Sequence, residues 1–366
     1  MSKKRVAVAM SGGVDSSVAA ALLKQAGYEV SGIYMQLRAE NNLITSLEHT
    51  CHLLDIPLHK LNLETEFQSL VIDYFCRGYS LGYTPNPCIV CNQNIKFALL
   101  LDKVLEMGAD YLATGHYARI EYTPNGYRLL KAIDQTKDQC YFLYTMGRRE
   151  LQHLLLPLGT FRKVEVRKLA AELGLPASSR RDSQDVCFIP DNDYRSFIAK
   201  HIPLKSGDIV DTEGRVLGRH GGLAQYTVGQ RQGLRLTSNE RLYVLKLDTS
   251  DNRLVVGTKD QLLSNTLFAT KLSWVSGEAP EESTSITAKI RYKSPEAAAR
   301  LHLNDGVAEV EFHQPQKAIT PGQSIVFYQG DAVLGGGIIE DRVDQRGYVG
   351  TSPPLSPSPF KERGKS

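Results

Sequence analysis

No stretch of this sequence approaches the roughly 20 consecutive apolar residues that a membrane-spanning helix needs, so it predicts no membrane partner. The N-terminus reads MSKKRVAVAM. Three basic residues before an apolar run imitate a secretory leader, but the run is short and breaks at Ser11-Gly12-Gly13. A cytoplasmic protein is expected. Cysteine is scarce: six in 366 residues, widely scattered. That excludes a secreted disulfide scaffold and leaves buried thiols, metal ligands or reactive groups. Excess charge is small, since 43 Lys and Arg against 40 Asp and Glu leave +3; a polyanionic partner is tolerated, not demanded. The Walker A and Gly-x-Gly-x-x-Gly patterns are missing, as are a second Cys-x-x-Cys and any internal repeat. A zinc ribbon, which needs two such pairs, is therefore excluded.

What is there is a globular composition, 42% hydrophobic and 23% charged. The chain is too long for one ordinary core, so two or three domains are expected. Apolar runs at 6–10, 30–34, 58–63 and 111–114 alternate with helical patterns at 16–26, 42–54, 65–80 and 92–107. This predicts an α/β domain with a mostly parallel sheet and ligands at the carboxyl ends of its strands. Residues 82–87, Gly-Tyr-Thr-Pro-Asn-Pro, read as an exposed loop, and Asn125-Gly126 predicts a hairpin. Helices are expected to dominate 138–200, and short strands with little helix follow residue 203. The expected division is an N-terminal α/β domain over 1–202, a small linking domain over 203–265, an antiparallel β-barrel over 266–348, and a Pro- and Ser-rich disordered tail over 349–366.

Ser11-Gly12-Gly13-Val14-Asp15-Ser16-Ser17 follows a strand and opens a helix. Two glycines permit tight turns, several N–H groups can converge on one anion, and the helix N-terminus adds its positive end. The hydroxyls of Ser11, Ser16 and Ser17 can donate to phosphate; Asp15 suits a helix cap or a magnesium ligand. The plainer alternative is an ordinary capped turn. The string resembles the PP-loop of ATP pyrophosphatases. That resemblance implies ATP as cofactor with Mg2+, adenylation of a substrate oxygen, and release of pyrophosphate.

Cys88-Ile89-Val90-Cys91 sits where the Pro-rich loop meets a helix, and Cys187 lies in Asp-Ser-Gln-Asp-Val-Cys-Phe-Ile-Pro. Cys51, Cys76 and Cys140 fall in segments read as helical and suit packing. For the first three, nucleophilic sulfur chemistry and a 4Fe–4S cluster both stay open, since both use thiolates favoured near a helix N-terminus.

The strings SGGVDSS, TPNPCIVCN, ATGHYAR, KDQCYFLYTM, DSQDVCFIP, YTVGQRQGL, IRYK and PGQ run from residue 11 to residue 323. Their order resembles that of the bacterial tRNA-specific 2-thiouridylases. The resemblance implies ATP contacts at Ala9, Met10, Ser11, Gly12, Gly13, Val14, Asp15, Ser16, Met35 and Gly115. It implies a catalytic Cys91, a persulfide-bearing Cys187, and a base-facing loop at Asn86, Pro87 and Cys88. Contacts with tRNA are implied at His116, Lys137, Asp138, Gln139, Arg291, Tyr292 and Gln323. Many members carry Asp where this chain has Cys88. Cys88, Cys91 and Cys187 thereby make a three-cysteine set like that of 4Fe–4S-dependent thiouridylases.

The expected reaction transfers AMP to the C2 oxygen of the wobble uridine in a tRNA anticodon; sulfur then displaces AMP. Either Cys187 carries the sulfur as a persulfide, resolved by Cys91 through a disulfide, or a cluster-bound sulfide attacks. A sulfur-donor protein, a persulfide relay or cysteine desulfurase, is the implied second partner. The pairs Arg148-Arg149, Arg162-Lys163 and Arg180-Arg181 are candidates for RNA contact. The rivals are another PP-loop enzyme, such as a 4-thiouridine synthase or a small-molecule synthetase, and a non-catalytic metal- or RNA-binding protein.

Overall fold

The computed structural model describes residues 3–38, 43–176, 186–189, 191, 193–237 and 240–341. The tail expected to be disordered, the Arg180-Arg181 pair and residues 182–185 lie outside the described residues.

Strand β1 (Arg5–Ala9) is buried from Val6 onward. An unbroken apolar run without alternation is what a strand covered on both faces requires. β2 (Glu29–Gln36), β3 (Leu58–Asn62) and β4 (Tyr111–Ala113) follow. A hairpin of β5 (Ala118–Thr123) and β6 (Gly126–Lys131) turns at Asn125-Gly126, and β7 is Leu154–Leu155. The sheet order is β3-β2-β1-β4-β7, every pair parallel. Two-residue β7 falls in a stretch expected to be helical; it is too short to leave a periodicity. Helix α1 (Val14–Gln25) is Ala-rich, as good helix formers are, and the chain leaves it through Gly27 at φ 89°.

Two long helices change pitch midway. One runs through Glu64–Phe67, a π-helical Gln68–Ile72 and Asp73–Ser80. The other runs through Pro87–Val90, a π-helical Cys91–Leu100 and Leu101–Glu106.

A second, mixed sheet holds β8 (Gly207–Val210), β9 (Val216–His220), β10 (Tyr243–Asp248) and β11 (Arg253–Gly257) in the order β10-β11-β8-β9. The third is a closed antiparallel barrel of β12 (Leu263–Trp274), β13 (Ser283–Lys289), β14 (Ala297–Asn304), β15 (Val307–Lys317), β16 (Ser324–Gln329) and β17 (Ala332–Ile339). It closes where β12 pairs with β17. Burial alternates along Val307–Phe312, the two-residue period of a strand with one face inward.

The hairpin does not stay with the parallel sheet. β6 pairs with β17, Leu130 opposite Ala332, and so adds two strands to the barrel's sheet. The following Cys140–Leu143 is a single 3-10 turn with Cys140, Tyr141 and Leu143 buried. It has no polar face, which is why the expected helix is absent. Its side chains share one core with Ala7, Ile33 and Leu112 of the parallel sheet and Val326, Tyr328 and Val333 of the barrel. Tyr141 Oη donates to Ser324 O at 2.8 Å.

Residues 82–87 are also not the exposed loop expected from their prolines. They are half-buried, with Pro85 and Pro87 fully so. The barrel's 321–323 turn satisfies their backbone: Thr84 N donates to Pro321 O at 2.9 Å, and Gln323 Nε2 donates to Thr84 O at 2.7 Å. Among the described residues no helix is long and apolar enough to cross a membrane.

Candidate active site

At the carboxyl end of β1, Met10 N donates to Ile33 O at 2.8 Å, and the chain then turns through Gly12 at φ 75°, which a Cβ disfavours. Ser11 N donates to Ser16 Oγ at 3.2 Å, and Gly13 N to Ser11 Oγ at 3.4 Å. Ser16 Oγ and Ser17 Oγ donate to Gly13 O at 3.2 and 3.0 Å. These bonds gather hydroxyls and N–H groups around the N-terminus of α1, where the helix dipole favours an anion.

Asp15 is not the helix cap; Gly13 holds that position without a side-chain bond. Instead Asp15 Oδ1 accepts from Tyr117 Oη at 2.8 Å, and both its oxygens accept from Lys163 Nζ, at 2.7 and 2.8 Å. Lys163 is 8% exposed, and its backbone N donates to Asp134 Oδ2 at 2.9 Å. Of the basic pair Arg162-Lys163, the lysine thus anchors the loop and does not face RNA. Asp15 is the loop's one carboxylate and is already committed, so a magnesium ion would rely on the nucleotide phosphates it accompanies. After β4, Gly115 lies against the loop: a Cβ there would stand 2.8 Å from Asp15 C and from Ser16 N. Met35 is half-buried on β2 and packs against two of the hydrophobic cores.

The Pro-rich motif proves to be a helix start. Asn86 Oδ1 accepts from Cys88 N at 3.2 Å and Ile89 N at 3.4 Å, with Pro87 in the first helical position. Cys88 is half-buried and Cys91 buried. Cys187 lies on an exposed turn whose carbonyl accepts from Arg38 Nη1 at 3.1 Å. Its neighbour Phe188, 2% exposed, pins that turn. The Phe188 ring meets those of Phe67, Phe75 and Phe197 at 5.8, 5.3 and 5.3 Å. The Cys88 and Cys91 thiols both feel Cys187 electrostatically, and all three feel Lys96. Burial pushes the Cys88 and Cys91 thiols up, Cys91 to about 12, while the Lys96 ammonium opposes the rise at both and also favours the thiolate at Cys187.

His116 joins the loop side to the thiol side. It follows Gly115, its Nδ1 lies 2.8 Å from Thr114 Oγ1, and its ring is 5.8 Å from that of Phe97. Burial, and then the Lys96 charge, keep this imidazole neutral, well below its usual pKa. Among the described residues no three His, Cys, Asp or Glu side chains stand where they could hold a metal ion together. Cys88, Cys91 and Cys187 are neighbours, but among the described residues they are not a set that could share a single metal ion.

The residues expected to meet tRNA divide. Arg291 is exposed, and the Tyr292 ring packs tilted against Phe142 at 4.4 Å. Lys137 is half-buried. Asp138 is 5% exposed, and its carboxylate accepts from Ala132 N at 2.9 Å and from the Cys140 thiol at 2.8 Å, so it does not face solvent. Gln139 exchanges hydrogen bonds with the Tyr117 backbone, at 2.9 and 2.8 Å. Arg149 pairs with Asp102, and Arg148 Nε donates to Ser276 O at 2.8 Å.

Sequence reasoning gave Lys163 a different role and missed Tyr117, Arg38, Lys96 and Phe188. Apart from Phe188, whose place beside Cys187 was visible, none carries a local signal; their partners are distant in sequence or depend on the π-helical pitch.

Three family models match successive parts of the chain. Residues 4–191 match a tRNA methyl transferase HUP domain, 195–258 a tRNA methyl transferase PRC-barrel domain, and 264–339 an aminomethyltransferase beta-barrel domain. The tRNA-specific 2-thiouridylase MnmA of Geotalea uraniireducens is 48% identical over 367 residues, spanning 95% of this chain and 98% of that protein. That of Acetivibrio thermocellus is 46% identical over 359 residues, with 93% and 100% covered. That of Moorella thermoacetica is 47% identical over 352 residues, with 91% and 98% covered. With nearly full-length identity at this level, the chain belongs to the tRNA-specific 2-thiouridylase family.

Proposed function

We propose that this protein is an ATP-dependent tRNA sulfurtransferase that replaces the 2-oxygen of the wobble uridine with sulfur. Two observations support the reading: Gly115 packs against a loop with the form of an anion site, and the Lys96 charge that reaches the adjoining His116 also reaches all three thiols. The relatives named 2-thiouridylases supply the substrate. Methyl transfer, named in two of the matching family models, would give neither the PP-loop nor the paired thiols a task.

The chemistry follows from the parts. The uridine O2 attacks the α-phosphorus of ATP, the bond to the β-phosphate breaks, and pyrophosphate leaves. The loop N–H groups and the N-terminus of α1 bear its charge. C2 now carries AMP as a leaving group. The terminal sulfur of a Cys187 persulfide attacks C2, and AMP departs with the original oxygen. The Cys91 thiolate then attacks Cys187 Sγ. The older sulfur–sulfur bond breaks, thiouridine leaves with its electron pair, and a Cys91–Cys187 disulfide remains. Two electrons from a thiol reductant reset it. A sulfur-donor protein, a persulfide relay or cysteine desulfurase, reloads Cys187. No step is routed through an iron–sulfur cluster.

Reaching C2 requires the base to leave its stack. Asn86, Pro87 and Cys88 are the proposed base-facing loop; His116, Lys137, Gln139, Arg291, Tyr292 and Gln323 are the proposed RNA contacts, with cationic side chains on phosphates. The 1–202, 203–265 and 266–348 division assigns catalysis to the first part and cradling of the tRNA to the last, in a cytoplasmic enzyme.

ATP–pyrophosphate exchange measured with and without tRNA tests this reading. Exchange that depends on tRNA is expected. Full exchange without RNA would mean a small-molecule synthetase, and no ATP binding at all would mean a degenerate loop.

A further inference from the structure

Asn92 and Lys96 have no task in the scheme above. Both lie in the π-helical Cys91–Leu100. In an α-helix a residue five positions on is about 140° around the axis, which would turn Lys96 away from Cys91. The i→i+5 bonding of a π-helix returns it to the same face, and such segments recur at functional sites. Asn92, 2% exposed, then fixes the ammonium. Its Nδ2 donates to Phe142 O at 3.0 Å, and its Oδ1 accepts from Lys96 Nζ at 3.0 Å. No carboxylate among the described residues pairs with Lys96.

Lys96 is thus a half-buried cation with no carboxylate partner among the described residues, and its charge acts on all three thiols. We propose that Lys96 is a positioning cation for sulfur transfer: held by Asn92 on the π-helical face, it balances the negative charge that sulfur carries on Cys187 and Cys91. Its field already favours the thiolate at Cys187, and at Cys88 and Cys91 against the effect of burial. Without it, the Cys88 and Cys91 thiolates would form in a desolvated site with no compensating charge, and Cys187 would keep only Arg38. The transfer step rests on the sulfurtransferase reading; the effect on the thiols does not.

The test compares the full chain with Lys96→Met and Lys96→Arg. Iodoacetamide labelling near neutral pH is read cysteine by cysteine by mass spectrometry. Single-turnover thiolation of tRNA and tRNA-dependent ATP–pyrophosphate exchange are measured alongside. Lys96→Met should slow labelling of Cys91 and Cys187 about tenfold and slow thiolation at least as much, with exchange kept within about twofold; Lys96→Arg should recover most of both. Unchanged labelling, or equal loss of exchange and thiolation, overturns the proposal. Buried Cys51 and Cys76 report the fold. If they label faster in Lys96→Met, Lys96→Gln is judged by the same criteria. A wild type with no exchange would sink the sulfurtransferase reading, and labelling would still decide the role of Lys96.

Discussion

Phe188→Ala should separate the two halves of the reaction. Phe188 is buried among three aromatic rings, directly beside the exposed Cys187. Truncating a buried Phe costs about 3–5 kcal/mol through lost transfer energy and the cavity left behind. That cavity opens beneath a turn, not within a sheet, so most of the cost weakens the docking of Cys187. At about 1.36 kcal/mol per decade, the lower figure reduces the docked fraction by up to about 150-fold. Single-turnover thiolation from persulfide-loaded enzyme should fall by one to two decades. The ATP loop is built by β1, α1 and Gly115 and shares no side chain with this cluster, so tRNA-dependent ATP–pyrophosphate exchange should stay within about twofold. Iodoacetamide labelling of Cys187 should quicken. Phe188→Leu, which keeps most of the volume, should lose less than about 1.5 kcal/mol and sit in between. If exchange and thiolation fell together, or neither moved while Cys187 labelled as before, Phe188 would not be positioning that thiol and the reasoning would be refuted.

Gly115→Ala pushes a methyl to 2.8 Å from the loop backbone, so the KM for ATP should rise about tenfold or more in the exchange assay, with little change in Tm. Lys163→Met removes two charge-assisted hydrogen bonds from Asp15; a loss of about 1.5–3 kcal/mol in denaturant unfolding is expected, with weaker ATP binding. Cys88→Asp should leave an enzyme that still thiolates tRNA, because the persulfide route does not use the Cys88 sulfur; inactivity with intact folding would count against that route. Burial raises the Asp138 carboxyl above its ordinary value. The folded state therefore binds its proton more tightly, and that contribution is present below the unfolded pKa and lost as pH rises through the folded one. The Tm of the wild type relative to Asp138→Asn should accordingly fall as pH is raised from about 4 to about 7.

How much of this was legible in the sequence depended on the range of the interaction. The buried run of β1, the Ala-rich α1 and the Asn125-Gly126 hairpin are local patterns, and each was visible. So was the barrel, from the run of short strands with little helix after residue 203. The fate of the hairpin was not, because pairing of Leu130 with Ala332 is a contact between residues about two hundred positions apart. Thr-Pro-Asn-Pro was misjudged as an exposed loop, since prolines mark irregular backbone equally well on a surface or, as here, where a barrel turn covers it and Asn86 caps a helix. The SGGVDSS loop was readable as an anion site, while the Lys163–Asp15 pair that braces it spans 148 residues and left no trace. Lys96 was hidden for a different reason: five positions from Cys91 means the far side of an α-helix, and only the π-helical pitch brings it back.

The most direct measurement follows one sulfur atom. Enzyme loaded with isotopically labelled persulfide is given ATP, Mg2+ and unmodified tRNA, and the nucleosides and protein are analysed by mass spectrometry after one turnover. The account predicts labelled 2-thiouridine at the wobble position, one AMP for each thiouridine, and a new Cys91–Cys187 disulfide. Label in 4-thiouridine, or thiouridine formed while Cys91 and Cys187 both remain free thiols, would contradict it.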